Sequence, residues 1–215
     1  MYKRQAYGVR WIKGKFRNGV SNGNVTVSWA NGVLYQGEVF NDPRQGFGIY
    51  NFSNGDVYIG EWFENNKHGN GTFTWTNGNV YQGEFVNDLR TGHGMYNFSN
   101  GNFYIGEWFE DKMQGIGKFY WNDNSIRNGD LYSGEFFNDQ KHGFGTYTSS
   151  DGEVFTGEWV EGRKKPEGQL YVGVALAIAL IVLVAAVLII KRQESKTKTK
   201  KETAILERES PLMTF

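Results

Sequence analysis

A short pattern returns along this chain at a fixed step. Tyr35, Gly37 and Glu38 of a Tyr-Gln-Gly-Glu segment come back as Tyr58, Gly60 and Glu61, as Tyr81, Gly83 and Glu84, and as Tyr104, Gly106 and Glu107, each time 23 residues on. Tyr132, Gly134 and Glu135 follow after 28 residues, and Phe155, Gly157 and Glu158 after a further 23. A period of that length restricts the chain to an array of like units, each packed only against its neighbours. Running the register backwards finds a degenerate copy at Ile12-Lys-Gly-Lys15.

Each unit has a second half. Eleven residues after the lead aromatic comes Gly-x-Gly, as Gly46 and Gly48, Gly69 and Gly71, Gly92 and Gly94, Gly115 and Gly117, and Gly143 and Gly145. An aromatic stretch follows, then Asn-Gly at Asn54-Gly55, Asn77-Gly78 and Asn100-Gly101, and Asp-Gly at Asp151-Gly152. Asn-Gly and Asp-Gly accept positive φ at both central positions of a tight turn, so the sequence predicts two-residue hairpins there. The halves are strand-length. Tyr58, Gly60 and Trp62 alternate and so share one face, where the glycine leaves room for a ring from a neighbouring strand. The 29 glycines, 16% aromatics and 3 prolines suit many short strands that bury rings. The absence of cysteine excludes disulfides and thiolate metal sites.

Tyr-x-Gly-Glu, with Gly-x-Gly eleven residues after the tyrosine and a 23-residue period, resembles the MORN repeat, over residues 35–168 and more weakly over 12–34. The expected fold class is all-β, an elongated antiparallel meander of stacked 23-residue β-hairpin repeats, followed by a single transmembrane α-helix. Two strands per repeat at ~4.8 Å spacing give an array of roughly 60 Å for six repeats. Pro166 replaces the first glycine of the last Gly-x-Gly while Gly168 keeps the second, so the array is expected to stop after half a repeat. Five extra residues, Asn124 to Asn128, lengthen one turn. They read as drift at an exposed loop, with a specificity loop as the functional alternative.

Four segments are expected. They are a basic N-terminal segment with the degenerate first repeat (1–34), the array (35–168), a membrane helix (169–190) and a basic tail (191–215). Leu170 to Ile190 is uncharged, and 21 residues at 1.5 Å rise span ~32 Å, the thickness of a bilayer core. Charge is segmented: six basic residues and no acid in 1–34, 10 basic and 19 acidic in 35–168, and 7 basic and 4 acidic in 191–215, which cancel to zero overall. Met1 to Gly19 is basic without an apolar run, so no signal peptide is expected. A sole span close to the C-terminus then reads as a tail anchor with a cytosolic array. Six basic residues after the span against three before it favour the opposite arrangement, a cytosolic tail. Sequons head at Asn24, Asn51, Asn70 and Asn97.

No catalytic, cofactor or metal site is expected. Gly-x-Gly recurs with the period and lacks a following helix and a Lys-Ser/Thr partner, so it reads as a structural element rather than a phosphate loop. The glutamates form a column fixed by the repeat, solvated or bonded to backbone. His68 and His142 share a register three repeats apart, too far for one metal.

The MORN resemblance implies membranes and acidic lipids as partners. Basic residues near the hairpin ends (Arg44, Lys67, Arg90, Lys112, Lys141, Lys164) each have an acid close by in sequence, and the array's net negative charge offsets their attraction to lipid. The better contact for lipid or an acidic partner is the N-terminal set Lys3, Arg4, Arg10, Lys13, Lys15 and Arg17. The tail interleaves Ser195, Thr197 and Thr199 with lysines, where phosphorylation would weaken attraction to anionic lipid.

The expected function is a non-catalytic, single-pass membrane scaffold that binds a protein partner or an apposed membrane, with no nucleic acid partner. The layout is similar to junctophilins, without the long segments that separate array and anchor there. The alternative is an adhesion or recognition protein with its array outside.

Overall fold

The structure, a computed structural model, describes residues 2, 3 and 8–166. They form one fifteen-stranded sheet in which each strand pairs with the next in sequence, antiparallel throughout. It is the expected all-β meander. The segments 169–190 and 191–215 lie outside the described residues, and among the described residues no helix is long and apolar enough to cross a membrane.

One repeat shows the construction. Val57–Phe63 runs out, turns at Glu64 and Asn65, and Asn66–Thr74 returns. A loop through Asn77-Gly78 leads to the next outgoing strand, Val80–Val86. The two turns exchange the roles the sequence suggests. Positive φ at both central residues, the mark of the two-residue hairpin turn, occurs at Glu64 and Asn65 (48° and 71°), Asn87 and Asp88 (49° and 73°), and Glu110 and Asp111 (46° and 67°). At Asn54-Gly55 only the glycine is left-handed, at 91°. There the Gly55 N–H donates to the Phe52 carbonyl (3.0 Å) and the Phe52 N–H to the Asp56 carbonyl (2.9 Å), which makes a three-residue loop ending in a glycine bulge. The tight turns are thus made by pairs whose side chains are needed elsewhere, and the Asn-Gly pairs close the wider ones.

Those needed side chains stitch the two long edges. At the tight turns the second residue reaches back to the preceding repeat: Asn65 accepts from the Arg44 N–H (2.9 Å), Asp88 from Lys67 (2.9 Å), Asp111 from Arg90 (3.0 Å) and Asp139 from Met113 (2.8 Å). At the other edge Asp56 accepts from the Thr76 N–H (2.8 Å), and Asn79, Asn102 and Asp130 do the same for Ser99, Asn122 and Ser150. Each is a carboxylate or carboxamide on an otherwise unpaired backbone donor, so neither edge is left with a row of orphan groups.

The extra residues Asn124 to Asn128 are absorbed at the Asn-Gly edge. Gly129 donates to the Trp121 carbonyl (2.7 Å), as Gly55 does to Phe52, and the strands resume with Tyr120 opposite Leu131.

Candidate functional site

One face of the sheet carries a continuous ladder of rings. Tyr35 pairs with Tyr50, Tyr50 with Tyr58, Tyr58 with Phe73, Phe73 with Tyr81, and Tyr81 with Tyr96. The ladder goes on through Tyr104, Phe119, Tyr132 and Tyr147 to Phe155. Beside it runs a second row, Trp62, Phe85, Trp108, Phe136 and Trp159, all buried. Trp108 meets Tyr104 and Tyr81 edge-on at 5.3 Å each, so each ring of the second row locks two repeats together.

Glycines let the rings lie down. Gly60 pairs with Gly71 inside a repeat and with Gly48 across the joint, so a file of glycines crosses the array from Gly37 to Gly157. Tyr58 lies over this file. A Cβ on Gly71 would sit 2.5 Å from its Cε2, and one on Gly60 2.5 Å from the Gly71 Cα. The folded-over ring reaches its own strand, where the Tyr58 hydroxyl donates to the Glu61 carbonyl (2.9 Å). Tyr35, Tyr81, Tyr104 and Tyr132 repeat this bond. Burial pushes all five hydroxyls upward, that of Tyr132 to about 12, so they stay protonated donors.

The glutamates serve the backbone. Between Gly60 and Glu61 the register slips, and the opposite strand bulges at Gly69, which is left-handed at 56°. The bulge frees the Asn70 N–H, and Glu61 Oε1 accepts it (2.9 Å). Glu84, Glu107 and Glu135 accept from His93 (2.8 Å), Ile116 (3.0 Å) and Phe144 (2.8 Å). In the last copy, where Pro166 removes the bulge glycine, Glu158 pairs with Lys165 instead. Gly46 and Gly115 face Glu38 and Glu107 in the same way, while Gly92 and Gly143 face Glu84 and Glu135. The first glycine of Gly-x-Gly is therefore a bulge residue under a glutamate, and the second lies under a tyrosine. Gly83, Gly94, Gly106, Gly117, Gly134 and Gly145 complete the file.

Cations lie across the joints between repeats, on the ring face. The Arg44 guanidinium is 4.2 Å from the Trp62 ring centre and 4.7 Å from that of Tyr50. Arg90 is 4.4 Å from Trp108, and Lys67 is 5.1 Å from Phe73. Their acids come from the turn of the following repeat: Asp88 pairs with Lys67 (3.6 Å) and Asp111 with Arg90 (2.9 Å). The sequence suggests nearer partners and places Lys112 in this row. In the structure Met113 holds the row position, buried, and Lys112 donates to the Asn138 side chain (3.0 Å). A one-residue offset moves a side chain to the other face of a strand.

Lys141, like Arg44, lacks a carboxylate from the following turn. Its ammonium lies 4.0 Å from the Trp159 ring centre and 5.0 Å from that of Tyr147. Gly162 stands where Asp88 and Asp111 serve Lys67 and Arg90, so the turn supplies no carboxylate, and the nearby Asp130 offsets the loss only in part. Burial, with Arg127 and Lys164 nearby, pulls the ammonium down to about 8. The unfolded chain then holds the proton more tightly, so stability is expected to rise as pH goes from about 8 toward 10.5. Gly162→Asp restores the missing carboxylate. It is expected to move the Lys141 midpoint upward in an NMR titration and to flatten that pH dependence of the melting temperature.

The predicted N-terminal contact set is only partly assembled. Lys13, Lys15 and Arg17 alternate along Val9–Arg17, exposed on the face opposite Ile12. Lys13 lines an open cleft of about 560 Å³ with Gln36, Glu38 and Phe47. Arg10 is exposed, the Lys3 backbone pairs with Ile12, and Arg4 lies outside the described residues. His93 stands exposed beside Glu84, and among the described residues no group of His, Asp and Glu is placed to hold a metal ion.

A feature that motif reading passes over is the opposite edge. Phe40, Phe63, Val86, Phe109 and Phe137, one per repeat just before each tight turn, are exposed, Phe40 by 63%. The signal is present in the sequence as the second residue after each glutamate.

The model of the MORN repeat matches five consecutive stretches, residues 35–57, 58–80, 81–103, 104–126 and 132–154, more than half of the chain. The protein belongs to the MORN-repeat family, whose arrays are typically non-catalytic. Among solved structures it is similar to the TCP domain of SAS-4 (dCPAP) of Drosophila melanogaster, solved in complex with a proline-rich motif of Ana2 (dSTIL). The identity is 12%, the TM-score is 0.43, and the match covers 74% of this chain and 90% of that one. No curated protein matches.

Proposed function

We propose that this protein is a single-pass membrane scaffold whose MORN array faces the cytosol and binds a protein partner or an apposed membrane surface. The observation that carries the binding reading is the file of exposed apolar side chains, Phe40, Phe63, Val86, Phe109 and Phe137, repeated along one edge of the sheet. A regular row of exposed apolar side chains offers a repeated set of contact points for a partner. The uncharged segment Leu170 to Ile190 supports the anchor by length and composition.

Protease treatment of sealed microsomes carrying the full chain tests the arrangement. Digestion of an unglycosylated array from material that resists carbonate extraction is the expected result. A protected, glycosylated array would replace the scaffold by a surface recognition protein. The positive charge after the span favours that second reading, and so does the exposed placement of Asn24 and Asn70.

Lipid contact, where it occurs, is assigned to Lys13, Lys15 and Arg17. Proteoliposomes of the full chain are expected to capture phosphatidylserine vesicles at low salt. Neutralising the three to Gln should weaken capture by about 100-fold, at ~1 kcal/mol per basic residue removed from the anionic surface. Undiminished capture would remove membrane bridging through this segment.

A further inference from the structure

At the later joints between repeats three large side chains meet on the ring face: a cation (Met113 at one joint), the ring of the returning strand, and the ring of the next outgoing strand. Arg44, Tyr50 and Trp62 form one such trio, and Arg90, Tyr96 and Trp108 another. Counting back 23 residues from Arg44, Tyr50 and Trp62, the joint before them has Ser21, Val27 and Val39. All three are small. The result is a recess of about 230 Å³, floored by Ile12, Val27 and Val39 and walled by Trp29 and Tyr50. It is smaller than the ~300 Å³ at which small-molecule pockets begin, and suits one side chain.

Two polar groups on its rim lack the partners that the register gives them elsewhere. Asp88 and Asp111 meet cationic side chains, whereas among the described residues Asp42 meets only Ser21. Its Oδ1 accepts the Ser21 N–H (2.8 Å) and hydroxyl (2.7 Å), and Oδ2 has no partner among the described residues. Arg90 donates from Nε to Asp111 (2.9 Å). Arg44 has Asn65 in that place; its Nη2 donates to the Asn65 carbonyl (2.7 Å), and its Nε is buried without a partner among the described residues. A buried donor left unmade is costly, so this joint is less well satisfied than the later ones.

We propose that this recess is a docking pocket for one aromatic side chain of a protein partner, with a peptide N–H of the partner on Asp42 Oδ2. The incoming ring stands where the array places its own ring at later joints, beside the Trp29 and Tyr50 rings that meet at 6.0 Å across this one. An aromatic anchor in a pocket with a polar group at its rim is the pattern of an interface hot spot. The assignment rests on the protein-binding reading of the array and is independent of the membrane anchor.

The test uses the full chain in nanodiscs of zwitterionic lipid, with valine methyls labelled, and N-acetyl-tryptophanamide as the probe. Saturable shifts at Val9, Val27 and Val39 are expected, with N-acetyl-leucinamide about tenfold weaker because it lacks the ring contacts. Val39→Trp and Ser21→Lys, which place the array's usual residues in the recess, should each abolish the shifts. Should Val39→Trp fail to fold, Ser21→Lys decides. Equal binding of the two amides, undiminished binding by the folded variants, or no saturable shift in the full chain overturns the proposal. Shifts that appear only after removal of residues 1–7 would assign the pocket to the chain's own leading segment, and shifts that follow protein concentration alone would assign it to a second copy; either overturns it too. Microsome topology is untouched by all of these results, so the failure of one reading is distinguishable from the failure of the other.

Discussion

Gly94→Ala should cost about 3 kcal/mol, the upper end for overpacking a tight core. A Cβ there would sit 2.5 Å from Cε2 and Cζ of Tyr81. That ring is fully buried and has nowhere to retreat, with Phe85 at 5.1 Å on one side and Trp108 at 5.3 Å on the other. The glycine's φ is not in the left-handed region, so steric contact rather than backbone conformation is the cause. A double-mutant cycle isolates it. In a Tyr81→Ala background the alanine at 94 should cost well under 1 kcal/mol in denaturant unfolding, since no ring remains to be displaced. An equal cost in both backgrounds would rule out the clash.

Trp108→Ala should cost about 3–5 kcal/mol and also change the shape of the transition. The indole lies against rings of two repeats, and its Nε1 donates to the Gly94 carbonyl (3.2 Å). It also carries Arg90 on its face. In a stacked array stability is the sum of unit terms and nearest-neighbour interfaces. Removing the main interface side chain uncouples the units on its two sides. Hydrogen exchange followed by mass spectrometry should then show residues before and after the joint opening at different denaturant concentrations. A single shared transition at a lower midpoint would mean that backbone pairing alone keeps the units coupled.

Much of this fold was legible because period and parity are one-dimensional. A 23-residue step with strand-length halves leaves a hairpin array as the solution, and alternation puts Tyr58, Gly60 and Trp62 on one face as expected. The tight turns were not legible from Asn-Gly. Residue preference says that Asn and Gly tolerate left-handed backbone, yet Glu64 and Asn65 adopt it because Asn65 must reach Arg44 and the edge stitching compensates. The partners of the cations were equally hidden. Lys67 lies three residues from Glu64 but meets Asp88, because a hairpin sets residues 21 apart side by side at that edge. The pocket at the first joint appears only when register is read for size rather than for motif: Ser21, Val27 and Val39 look like degeneration until the ladder shows what stands there in other repeats. The exposed apolar edge was written in the sequence but overlooked, since single exposed hydrophobics mean little until a sheet lines them up.

The strand order has a mechanical consequence. Every strand pairs with its sequence neighbour, and the stitching bonds reach back 20 or 21 residues in most repeats. A pull between the two ends of residues 8–166 therefore meets the hydrogen-bond ladders one after another, as in opening a zipper, instead of shearing them all at once. Each yielding repeat releases 23 residues, or 28 where Asn124 to Asn128 are inserted. At ~3.5 Å per extended residue, less the ~10 Å the folded repeat occupied, that lengthens the chain by roughly 70 Å. Under load the array is a tether that yields in steps of one repeat at low force and re-forms from whichever repeats remain folded.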